Sequence, residues 1–409
     1  MPPARGGPAG GAASRRRVES GASGRELMKI GRFWPDELTD DERAGLNPGV
    51  PGDLNRRPDV LVVGGGVVGV STAVACERAG LGSVLLLERD QLGSGATGGA
   101  GGLLSADTLA GTYPAQYVAL GKASIQLWRE LQETVPGGVG ITPYDSIKVE
   151  PYTPELAANM PDSAEPLTPD DVARLIPGLS WSAPGVRIPR QARMNPLRAV
   201  SRLAQGIGSV GTGVAVRGVT VRGERLVSVT TSAGEISPGA VIFATGGPPK
   251  LDGLRLEYPA GSLKGHILTT EPVSVRLGGG FAPIATQIEQ ERLLAGGTVD
   301  EGDDTPDVHG ATIARIVAEL EAALPALKGI AVSHAWVCFR PTHPDALPVI
   351  DRVPGLSNAW VTSGHFRHGI LLAPATGRAL ARWVGSGKQP DEVVGLEIER
   401  LHSGQAGSR

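Results

Sequence analysis

The sequence predicts an α/β fold with a second, smaller lobe built on an antiparallel sheet. The chain has 409 residues, enough for two or three packed domains. Two short apolar runs flank a glycine cluster and a helix-like segment just after residue 59, and residues 214–241 show strand-like alternation between turns. Apolar residues make up 41% of the chain, which is ample for a core.

The ordered part of the fold begins with a strand–helix–strand unit. Residues 60–63 (VLVV) form a continuous apolar run, as a strand buried on both faces requires. Residues 67–79 then predict a helix that Gly80 ends, and residues 84–87 (VLLL) predict a second buried strand. Together these segments make one βαβ unit of about 30 residues.

The turn after the first strand carries the pattern G-x-G-x-x-G, with its glycines at Gly64, Gly66 and Gly69. The first glycine permits a tight turn, the second lets the backbone approach a pyrophosphate, and the third lets the helix pack closely on the sheet. Glu88 ends the second strand 24 residues after Gly64, where a carboxylate can accept hydrogen bonds from ribose hydroxyls. The combination predicts a dinucleotide-binding, Rossmann-like domain.

The rest of the chain predicts a mixture of helices and short strands. We expect helices over residues 118–131, 167–176, 197–204, 311–324 and 373–384, and strands over residues 214–241, 332–339 and 359–362. Residues 1–24 contain almost no large apolar side chains, so we expect them to be disordered. Residues 25–57 include a helix start at Thr39-Asp40-Asp41-Glu42 but no recognisable chemistry, and they predict a variable extension, with an arm that docks on the body as the alternative.

Charge balance and cysteine count exclude several classes of protein. Lysine plus arginine total 39 and aspartate plus glutamate total 42, so the net charge of −3 argues against a nucleic-acid binder or a polybasic membrane-surface protein. Two cysteines exclude a disulfide scaffold and favour a reducing, cytoplasmic location. No apolar run predicts a membrane span, and no apolar segment follows Arg15-Arg16-Arg17 to complete an export signal.

The dinucleotide is predicted to be FAD rather than a nicotinamide. The glycine fingerprint opens the ordered chain, and one long discontinuous remainder follows it. In that remainder, the apolar run 241–243 ends in Ala244-Thr245-Gly246-Gly247. This segment resembles the second flavoprotein motif, in which a strand closes on a glycine turn against the cofactor.

Two segments near the C-terminus carry a family resemblance. Residues 336–351 read WVCFRPTHPDALPVID, and residues 361–377 read VTSGHFRHGILLAPATG. They resemble the closing motifs of the D-amino-acid oxidase superfamily, most closely its glycine oxidase and D-amino-acid dehydrogenase branch. The resemblance also includes the fingerprint, the glycine-rich loop after Glu88 and residues 292–298, so it covers about residues 59–384.

The resemblance implies a flavin enzyme that removes hydride from a carbon bearing an amine. Arg340 matches the arginine that grips a substrate carboxylate in this family, a task that suits a planar guanidinium. Arg367 matches the arginine of the G-H-F-R motif near flavin and substrate, and a salt-bridge role is the alternative for both arginines. The cofactor contacts that fingerprint and resemblance together imply are Gly64, Gly66, Gly69, Glu88, Arg89, Thr97, Gly102, Thr245, Gly246, Gly364, His365, Gly369 and Ile370.

The same resemblance implies a division into domains. Residues 58–112, 193–255 and 335–392 are assigned to the FAD-binding domain. Residues 113–192 and 256–334 are assigned to a substrate domain. Residues 1–57 form an N-terminal extension, and residues 393–409 form a tail.

Several positions depart from the family pattern. His368 stands where asparagine is usual, and Ala346 stands where glycine is common. Residues 284–288 lack the tyrosine or histidine of one pocket wall in glycine oxidases, which favours a substrate other than glycine. Cys338 stands where sarcosine-oxidase relatives carry the cysteine that links to flavin, so a buried thiol and a covalent link both stay open. Residues 293–295 lack the lysine that promotes the oxygen reaction in those relatives.

No metal site and no catalytic histidine are predicted. His343, His365 and His368 are close in sequence, but no cysteine, aspartate or glutamate spacing completes a metal site. No general base is needed if the amine arrives neutral and its carbon gives hydride directly to the flavin.

The leading interpretation is an FAD-dependent oxidase of a small amino acid or secondary amine, with O2 as the electron acceptor. One alternative is an amino-acid dehydrogenase subunit that passes electrons to a partner or a quinone. A second alternative is a non-catalytic, flavin-bound scaffold. The sequence leaves homo-oligomers and hetero-oligomers equally open.

Overall fold

The computed structural model describes residues 28–149, 161, 163–282 and 285–402. The predicted disorder of residues 1–24 and the end of the predicted tail lie outside the described residues. The strands are β1 Lys29–Ile30, β2 Val60–Val63, β3 Val84–Leu87, β4 Leu103–Leu104, β5 Thr142–Lys148, β6 Glu165–Leu167, β7 Gly185–Arg193, β8 Ser209–Gly211, β9 Val216–Arg222, β10 Arg225–Thr231, β11 Gly234–Ile236, β12 Ala240–Gly246, β13 Gly261–Thr270, β14 Gly280–Ala282, β15 Ala285–Gln287, β16 Leu293–Gly296, β17 Val332–Thr342, β18 Val349–Arg352 and β19 Ala359–Ser363.

The described helices fall between and after these strands. They are α1 Asp40–Gly45, α2 Val67–Arg78, α3 Ala96–Gly99, α4 Ala115–Thr134, α5 Pro169–Leu175, α6 Pro196–Ala204, α7 Gly310–Ala323, α8 Gly369–Ser386 and α9 Glu399–His402. Short 3-10 turns occur at Trp34–Glu37, Asp107–Leu109, Glu289–Glu291, Pro325–Leu327 and Asp391–Val393. In the part of the chain that the structure describes, no helix has the length and apolarity to cross a bilayer.

A six-stranded sheet forms the Rossmann-like half of the fold. Its order is β18-β19-β12-β2-β3-β8, and every pair is parallel except β18–β19. The apolar residues of β2, β3 and β12 are buried, as strands covered on both faces require. The carboxyl ends of β2, β3, β12 and β19 therefore meet at one edge, where open parallel sheets bind ligands.

Helices α2 and α8 pack together on this sheet. Gly377 makes the approach possible, because a Cβ there would lie 2.7 Å from the Ser71 carbonyl oxygen. Helix α8 begins four residues before the predicted start at 373 and continues through Pro374. Since proline cannot donate to the Ile370 carbonyl, the Trp128 indole N–H supplies that hydrogen bond at 2.9 Å.

The second sheet has ten strands and forms the wall that faces the carboxyl edge of the first. Its order is β1-β17-β13-β16-β15-β14-β5-β7-β4, with β6 also paired to β7. The pairs are antiparallel except β1–β17 and β5–β14. The long pair β13–β17 places Leu263 opposite Arg340 and Gly265 opposite Cys338. A separate three-stranded sheet, β11-β10-β9, flanks the first sheet.

The N-terminal arm is an integral part of the body from residue 28 onward. The Trp34 side chain is buried, and its indole N–H donates to the Ala100 carbonyl at 2.7 Å. Thr39 caps α1, as predicted, with Glu42 as its reciprocal partner. The buried Glu42 carboxylate also forms ion pairs with Arg198 and Arg202 on α6. These bonds fix the arm against helix α6 and the loop that ends at residue 102.

The predicted elements are confirmed in type, and their bounds shift by a few residues. The helices expected at 118–131 and 311–324 are α4 and α7, and the strands expected over 214–241 form β9, β10, β11 and the start of β12. Strands β5, β7 and β13 were not predicted. Residues 335–342, which the sequence groups with the FAD-binding domain, lie in β17 of the ten-stranded sheet. The division into domains stays a prediction.

The position where Ala346 replaces the glycine of the family pattern has a left-handed backbone, with φ of 58°. An L-residue there is disfavoured by about 1–2 kcal/mol, and glycine avoids that cost. We expect Ala346→Gly to raise the free energy of unfolding by about 1 kcal/mol, measured by urea denaturation of the holoprotein.

The matched control is Ala318→Gly, on the exposed face of α7, where the same change should lower the free energy of unfolding by about 1 kcal/mol. A loss of stability in both variants would contradict the backbone argument.

Candidate functional site

A cavity of about 790 Å³ lies between the carboxyl edge of the six-stranded sheet and the face of the ten-stranded sheet. Of the sixteen residues that the sequence analysis proposes for the site, fourteen line this cavity. They are Gly64, Gly66, Glu88, Arg89, Thr97, Gly102, Thr245, Gly246, Cys338, Arg340, His365, Arg367, Gly369 and Ile370. Gly69 and Gly364 are not on its wall. The fold therefore gathers segments more than 300 residues apart in the chain around one space.

The turn after β2 packs too closely against neighbouring backbone to admit a side chain at Gly64 or Gly69. A Cβ at Gly64, whose φ is 114°, would lie 2.4 Å from the Ala244 carbonyl oxygen. A Cβ at Gly69 would lie 1.9 Å from the Gly64 carbonyl oxygen, so this glycine lets α2 pack directly on the turn. Gly66 caps the N-terminus of α2, which opens toward the cavity. The positive end of the helix dipole therefore faces the space.

The loop after β3 closes one side of the same space. Residues 94–97 and 100–102 line the cavity, and the Thr97 hydroxyl accepts a hydrogen bond from the Val67 N–H at 3.0 Å. The Glu88 carboxylate accepts hydrogen bonds from the Gly65 N–H at 2.6 Å and from the Asp90 N–H at 3.0 Å. Each carboxylate oxygen keeps a further lone pair, because one oxygen can accept two hydrogen bonds.

The turn after β19 supports the cavity from the other side. The Gly364 N–H donates to the Gly246 carbonyl at 2.8 Å, which joins the turns that follow β19 and β12. Gly364 has φ of 69°, and a Cβ there would lie 2.1 Å from the His343 ring. This glycine therefore shapes the wall without lining it.

Arg340 is buried on β17 with its guanidinium against the backbone of β13. Its Nη1 donates to the Thr298 carbonyl at 2.8 Å. A Cβ at Gly265 would lie 2.3 Å from Arg340 Nη2, so the glycine opposite Cys338 makes room for the guanidinium. Burial is the main cause that lowers the pKa of Arg340 from its ordinary value, and Arg367 acts in the same direction.

The cavity wall carries more positive than negative charge. Its cationic side chains are Arg89, Lys250, Arg340 and Arg367, and its one carboxylate among the described residues is Glu88. Within the described part of the chain, neither Arg340 nor Arg367 forms an ion pair, although Arg367 lies over the Phe366 ring at 5.5 Å. Two guanidiniums near each other without a carboxylate partner form a site suited to an anion.

The three histidines of the closing motifs each bond to a different group. His343 contacts the Ser363 hydroxyl at 3.1 Å, His365 contacts the Thr376 hydroxyl at 3.2 Å, and His368 Nδ1 lies 3.0 Å from the Tyr117 hydroxyl. Burial lowers the pKa of His365 to about 3 and that of His368 to about 4. Both rings are therefore neutral near pH 7.

Sequence reasoning missed several residues of the wall. Thr362 lines the cavity with 1% of its surface exposed, and its Oγ1 has no hydrogen-bond partner among the residues that the structure describes. A buried hydroxyl without a partner is costly unless a ligand supplies one. Ile267, Leu294 and Thr286 form part of the wall above the sheet edge, and only the strand pairing of the ten-stranded sheet brings them there.

The comparisons with known proteins agree with this geometry. A family model described as FAD dependent oxidoreductase, the DAO family, matches residues 59–383. The chain belongs to the DAO family of FAD-dependent oxidoreductases. This finding confirms the predicted fold class, the resemblance to the glycine oxidase branch and the FAD cofactor.

Individual relatives support the same assignment. The chain is 30% identical to a glycine oxidase of Pseudomonas aeruginosa over 369 residues, which cover 81% of this chain and 95% of that protein. It is 26% identical to a 4-methylaminobutanoate oxidase (formaldehyde-forming) of Paenarthrobacter nicotinovorans, over 84% of this chain and 46% of that protein. The crystal structure of L-proline dehydrogenase from P. horikoshii shares the fold, with a TM-score of 0.75 and 20% identity over 86% of this chain and 99% of that one. The DAO protein described here is thus an FAD-dependent amino-acid or amine oxidoreductase.

The cavity of this DAO protein fits FAD on its own features. Gly64 and Gly69 let the turn after β2 pack directly against β12 and α2, and the N-terminus of α2 opens toward the cavity. A pyrophosphate at a helix N-terminus and a ribose at Glu88 are the arrangement that such a strand–turn–helix unit binds.

Proposed function

We propose that this protein oxidises a small amino acid, or a secondary amine that carries a carboxylate, and that Arg340 binds the carboxylate. The observation that carries the proposal is the buried Arg340 guanidinium, which lines the cavity with one hydrogen bond to the protein and no ion pair among the described residues. A buried cation needs an anionic partner, and a carboxylate matches the two parallel N–H groups of a guanidinium.

We propose that FAD lies along the carboxyl edge of the six-stranded sheet. Gly64, Gly66 and the N-terminus of α2 would hold the pyrophosphate, and Glu88 would accept from the ribose hydroxyls. The remaining proposed contacts are Arg89, Thr97, Gly102, Thr245, Gly246, His365, Gly369, Ile370 and Thr362. Gly69 and Gly364 would act indirectly, because they permit the close packing that shapes the wall.

When bound, FAD supplies the chemistry of the reaction, since its isoalloxazine accepts hydride from the carbon that bears the amine. The protein would position that carbon by fixing the carboxylate at Arg340 on one side. Ile267, Leu294 and Ile370 form apolar parts of the wall and would exclude water from the reacting atoms. Arg367 would add positive charge where the cofactor and the carboxylate both carry negative charge.

No described side chain of the wall suits a general base near neutral pH. His365 is neutral with its pKa lowered to about 3, and its Nε2 contacts the Thr376 hydroxyl. Glu88 lies at the end of β3 and is bonded to two backbone N–H groups. We therefore propose that the substrate amine enters the reaction in its neutral form.

This proposal predicts the direction of the pH dependence. A protonated amine has no lone pair to stabilise the carbon that loses hydride, so kcat/KM should rise with pH and level off above the amine pKa of the substrate. Because the pKa values of His365 and His368 lie at about 3 and about 4, neither ring titrates between pH 6 and 10, a range on the order of four units. The measurement is kcat/KM against pH for two substrates whose amine pKa values differ by about one unit.

The inflection in the plot of kcat/KM against pH should differ between the two substrates by about one unit, which is the difference between their amine pKa values. An inflection at one common pH for both substrates would show instead that a group of the protein titrates.

The wall of the site favours a substrate other than glycine alone. Residues 284–288 lack the tyrosine or histidine of the glycine oxidase pattern, and two small residues of this segment, Ala285 and Thr286, line the cavity. Two small side chains leave more room at that wall than one aromatic ring would. The P. nicotinovorans relative acts on a methylated amino acid by its name, which supports a secondary amine as the alternative to an α-amino acid. Ile284 lies outside the described residues.

The electron acceptor is proposed to be O2, and a dehydrogenase that passes electrons to a partner or quinone is the second candidate. Residues 293–295 lack the oxygen-activating lysine of sarcosine-oxidase relatives, and Leu294 and Ala295 of this strand line the described cavity, which favours the second candidate. The P. aeruginosa relative is an oxidase by name, which favours the first candidate.

We also propose a reducing, cytoplasmic location, supported by Cys76 and Cys338, which are both free and buried.

Cys338 is proposed to be a buried thiol without a covalent link to flavin. Its Sγ donates to the Ala96 carbonyl at 3.6 Å, and burial raises its pKa although Arg340 and Arg32 oppose the shift. Only a thiolate is a strong nucleophile, so a thiol with a raised pKa is a poor one. After acid precipitation of the holoprotein, we expect a yellow supernatant and a colourless pellet, for Cys338→Ser as for the unaltered chain. A yellow pellet from the unaltered chain, together with a colourless pellet from Cys338→Ser, would establish the covalent link.

The experiment that tests the proposed function is anaerobic reduction of the bound flavin. The holoprotein is mixed with a panel of glycine, N-methylated amino acids and both enantiomers of other amino acids, and the flavin absorbance near its visible maximum is followed. We expect at least one carboxylate-bearing amine to bleach the flavin. Bleaching by no member of the panel would overturn the proposal and favour a non-catalytic flavin scaffold. Admission of air then separates the two acceptors, because rapid return of the absorbance indicates an oxidase.

A further inference from the structure

A polar cluster lies behind Arg340, on the face of β13 that points away from the cavity. Neighbouring residues of a strand point to opposite faces, so Lys264 and His266 share one face while Gly265 and Ile267 share the other. Ile267 lines the cavity, and the Arg340 guanidinium lies against Gly265. The side chains of Lys264 and His266 have 0% exposure, although both carry polar nitrogens.

The segment that follows β16, residues 297–309, covers this face and supplies two aspartates. Lys264 Nζ donates to Asp303 at 2.6 Å, and His266 Nδ1 lies 2.7 Å from Asp300 Oδ2. The Asp300 N–H also donates to the Lys264 carbonyl at 2.9 Å, which holds the segment against β13 by its backbone. Each buried base therefore has its own carboxylate partner.

Thr298 joins one half of this cluster to Arg340. Its hydroxyl accepts from the His266 N–H at 2.8 Å and donates to Asp300 Oδ2 at 3.0 Å. Its carbonyl accepts from Arg340 Nη1 at 2.8 Å. Thr298 is thus held through its hydroxyl by Asp300 and His266, and it holds the guanidinium through its carbonyl. Asp303 and Lys264 have no hydrogen bond to Thr298 among the contacts of the described residues.

The hydrogen bonds around His266 fix its tautomer. The His309 backbone N–H donates to His266 Nε2 at 2.9 Å, so Nε2 is an acceptor and carries no proton. Nδ1 therefore carries the proton and donates it to Asp300. Asp300 also favours the cationic form of Arg340, because it acts to raise the pKa of that guanidinium.

We propose that Asp300 is a positioning residue for Arg340: with His266 it fixes Thr298, whose carbonyl holds the guanidinium in the orientation that receives a substrate carboxylate. The inference rests on the proposed function, since it gives Arg340 a carboxylate to bind. Without Asp300, the Thr298 hydroxyl and the His266 Nδ1–H both lose their acceptor, and Thr298, whose carbonyl holds Arg340, keeps only the His266 N–H of the two groups that fix its hydroxyl.

The test measures carboxylate binding and turnover in matched variants of the holoprotein. The probe for binding is acetate, which has a carboxylate but no amine to oxidise, and its Kd is read from the change in flavin absorbance. Asp300→Ala should weaken acetate binding and raise KM for an amine substrate by about tenfold each, the effect of one lost hydrogen bond to a charged group. The kcat should change by less than about threefold, because the bound geometry at the reacting carbon is regained once the carboxylate is seated.

Two further variants separate positioning from loop stability. Asp300→Asn keeps one oxygen that accepts from both His266 and Thr298, as Oδ2 does now, so it should restore Kd and KM to within about threefold of the unaltered chain. Asp303→Ala is the matched control, because it removes the partner of a buried base in the same segment without touching Thr298. It should lower the melting temperature while leaving the acetate Kd within about twofold.

A double-variant cycle tests whether the effect passes through Thr298. Thr298→Val keeps the shape and the carbonyl of residue 298 but removes the hydroxyl, so it should raise KM by about as much as Asp300→Ala. The double variant Asp300→Ala/Thr298→Val should raise KM no further, because both changes break one chain of contacts. Fully additive effects would overturn the proposal.

The remaining outcomes are equally decisive. Equal losses of acetate affinity in Asp300→Ala and Asp303→Ala would overturn the inference and indicate a general loosening of the segment. If Asp300→Ala does not fold, Thr298→Val and Asp300→Asn still provide the comparison. If the unaltered holoprotein binds acetate but Asp300→Ala and Thr298→Val bind it equally well, the positioning role fails and the proposed function stands. If the unaltered holoprotein neither binds acetate nor reacts with any carboxylate-bearing amine, the proposed function fails and the inference with it.

Discussion

Replacing Arg340 with alanine is expected to raise KM for an amine substrate by two to three orders of magnitude while the purified protein stays yellow. The guanidinium is buried, is held by the Thr298 carbonyl and forms no ion pair among the described residues. A buried, charge-assisted pair that loses one partner costs about 3–4 kcal/mol, and each 1.4 kcal/mol is about tenfold in affinity. The measurement is steady-state KM and kcat together with the flavin content per chain.

Two comparison variants make this prediction specific. Arg340→Lys keeps the charge but loses the planar pair of donors, so its KM should lie between those of alanine and the unaltered chain. Arg367 is exposed, so Arg367→Ala should raise KM by less than about tenfold. An unchanged KM in Arg340→Ala would remove this residue from the substrate site. A colourless Arg340→Ala protein would assign it to the cofactor instead.

Replacing Gly69 with alanine is expected to abolish stable FAD binding. A Cβ at this position would lie 1.9 Å from the carbonyl oxygen of Gly64 and 3.0 Å from its carbonyl carbon. Both atoms are backbone, so α2 has to move away from the turn that shapes the cavity. Overpacking of this kind costs about 1–3 kcal/mol, and the displaced helix N-terminus no longer faces the cofactor. We expect the protein to purify with little flavin, and FAD titrated into the apoprotein to bind at least about 100-fold more weakly.

Gly310 provides the control for this prediction. It is also a glycine in the first turn of a helix, α7, but a Cβ there would meet no atom within 4 Å. Gly310→Ala should therefore keep its full flavin content. Its free energy of unfolding should rise by about a few tenths of a kcal/mol or more, because alanine favours the helix. Full flavin content in Gly69→Ala as well would contradict the packing argument.

The sequence predicts the dinucleotide end of the site well because that end is built locally. Gly64, Gly66 and Glu88 lie within one βαβ unit, whose strands and helix follow from short-range periodicity. The carboxyl ends of parallel strands meet by geometry, so Gly246 and the turn after β19 join the same edge. Fourteen of the sixteen proposed residues therefore line one cavity.

The substrate end depends on strand register, which single-sequence patterns do not specify. Thr298 and Asp300 reach Arg340 only because β13 pairs with β17 on one side and with residues 296–300 on the other. Strand β13 carries Lys264 and His266 on one face. Polar residues at these positions are typical of an exposed strand face, but both side chains are buried. Helix α8 starts four residues before the predicted residue 373 and continues through Pro374, because the Trp128 indole N–H, 242 residues away in the chain, satisfies the Ile370 carbonyl.

The most direct test of the central claim compares matched amines with and without a carboxylate. Proline and pyrrolidine share a ring amine and differ in the carboxylate, as do sarcosine and dimethylamine. If Arg340 binds the substrate carboxylate, anaerobic flavin reduction at equal concentration should be at least about 100-fold faster with the carboxylate-bearing member of whichever pair reacts. In Arg340→Ala the two members should react at nearly the same slow rate. Equal rates for both members with the unaltered protein would contradict the account.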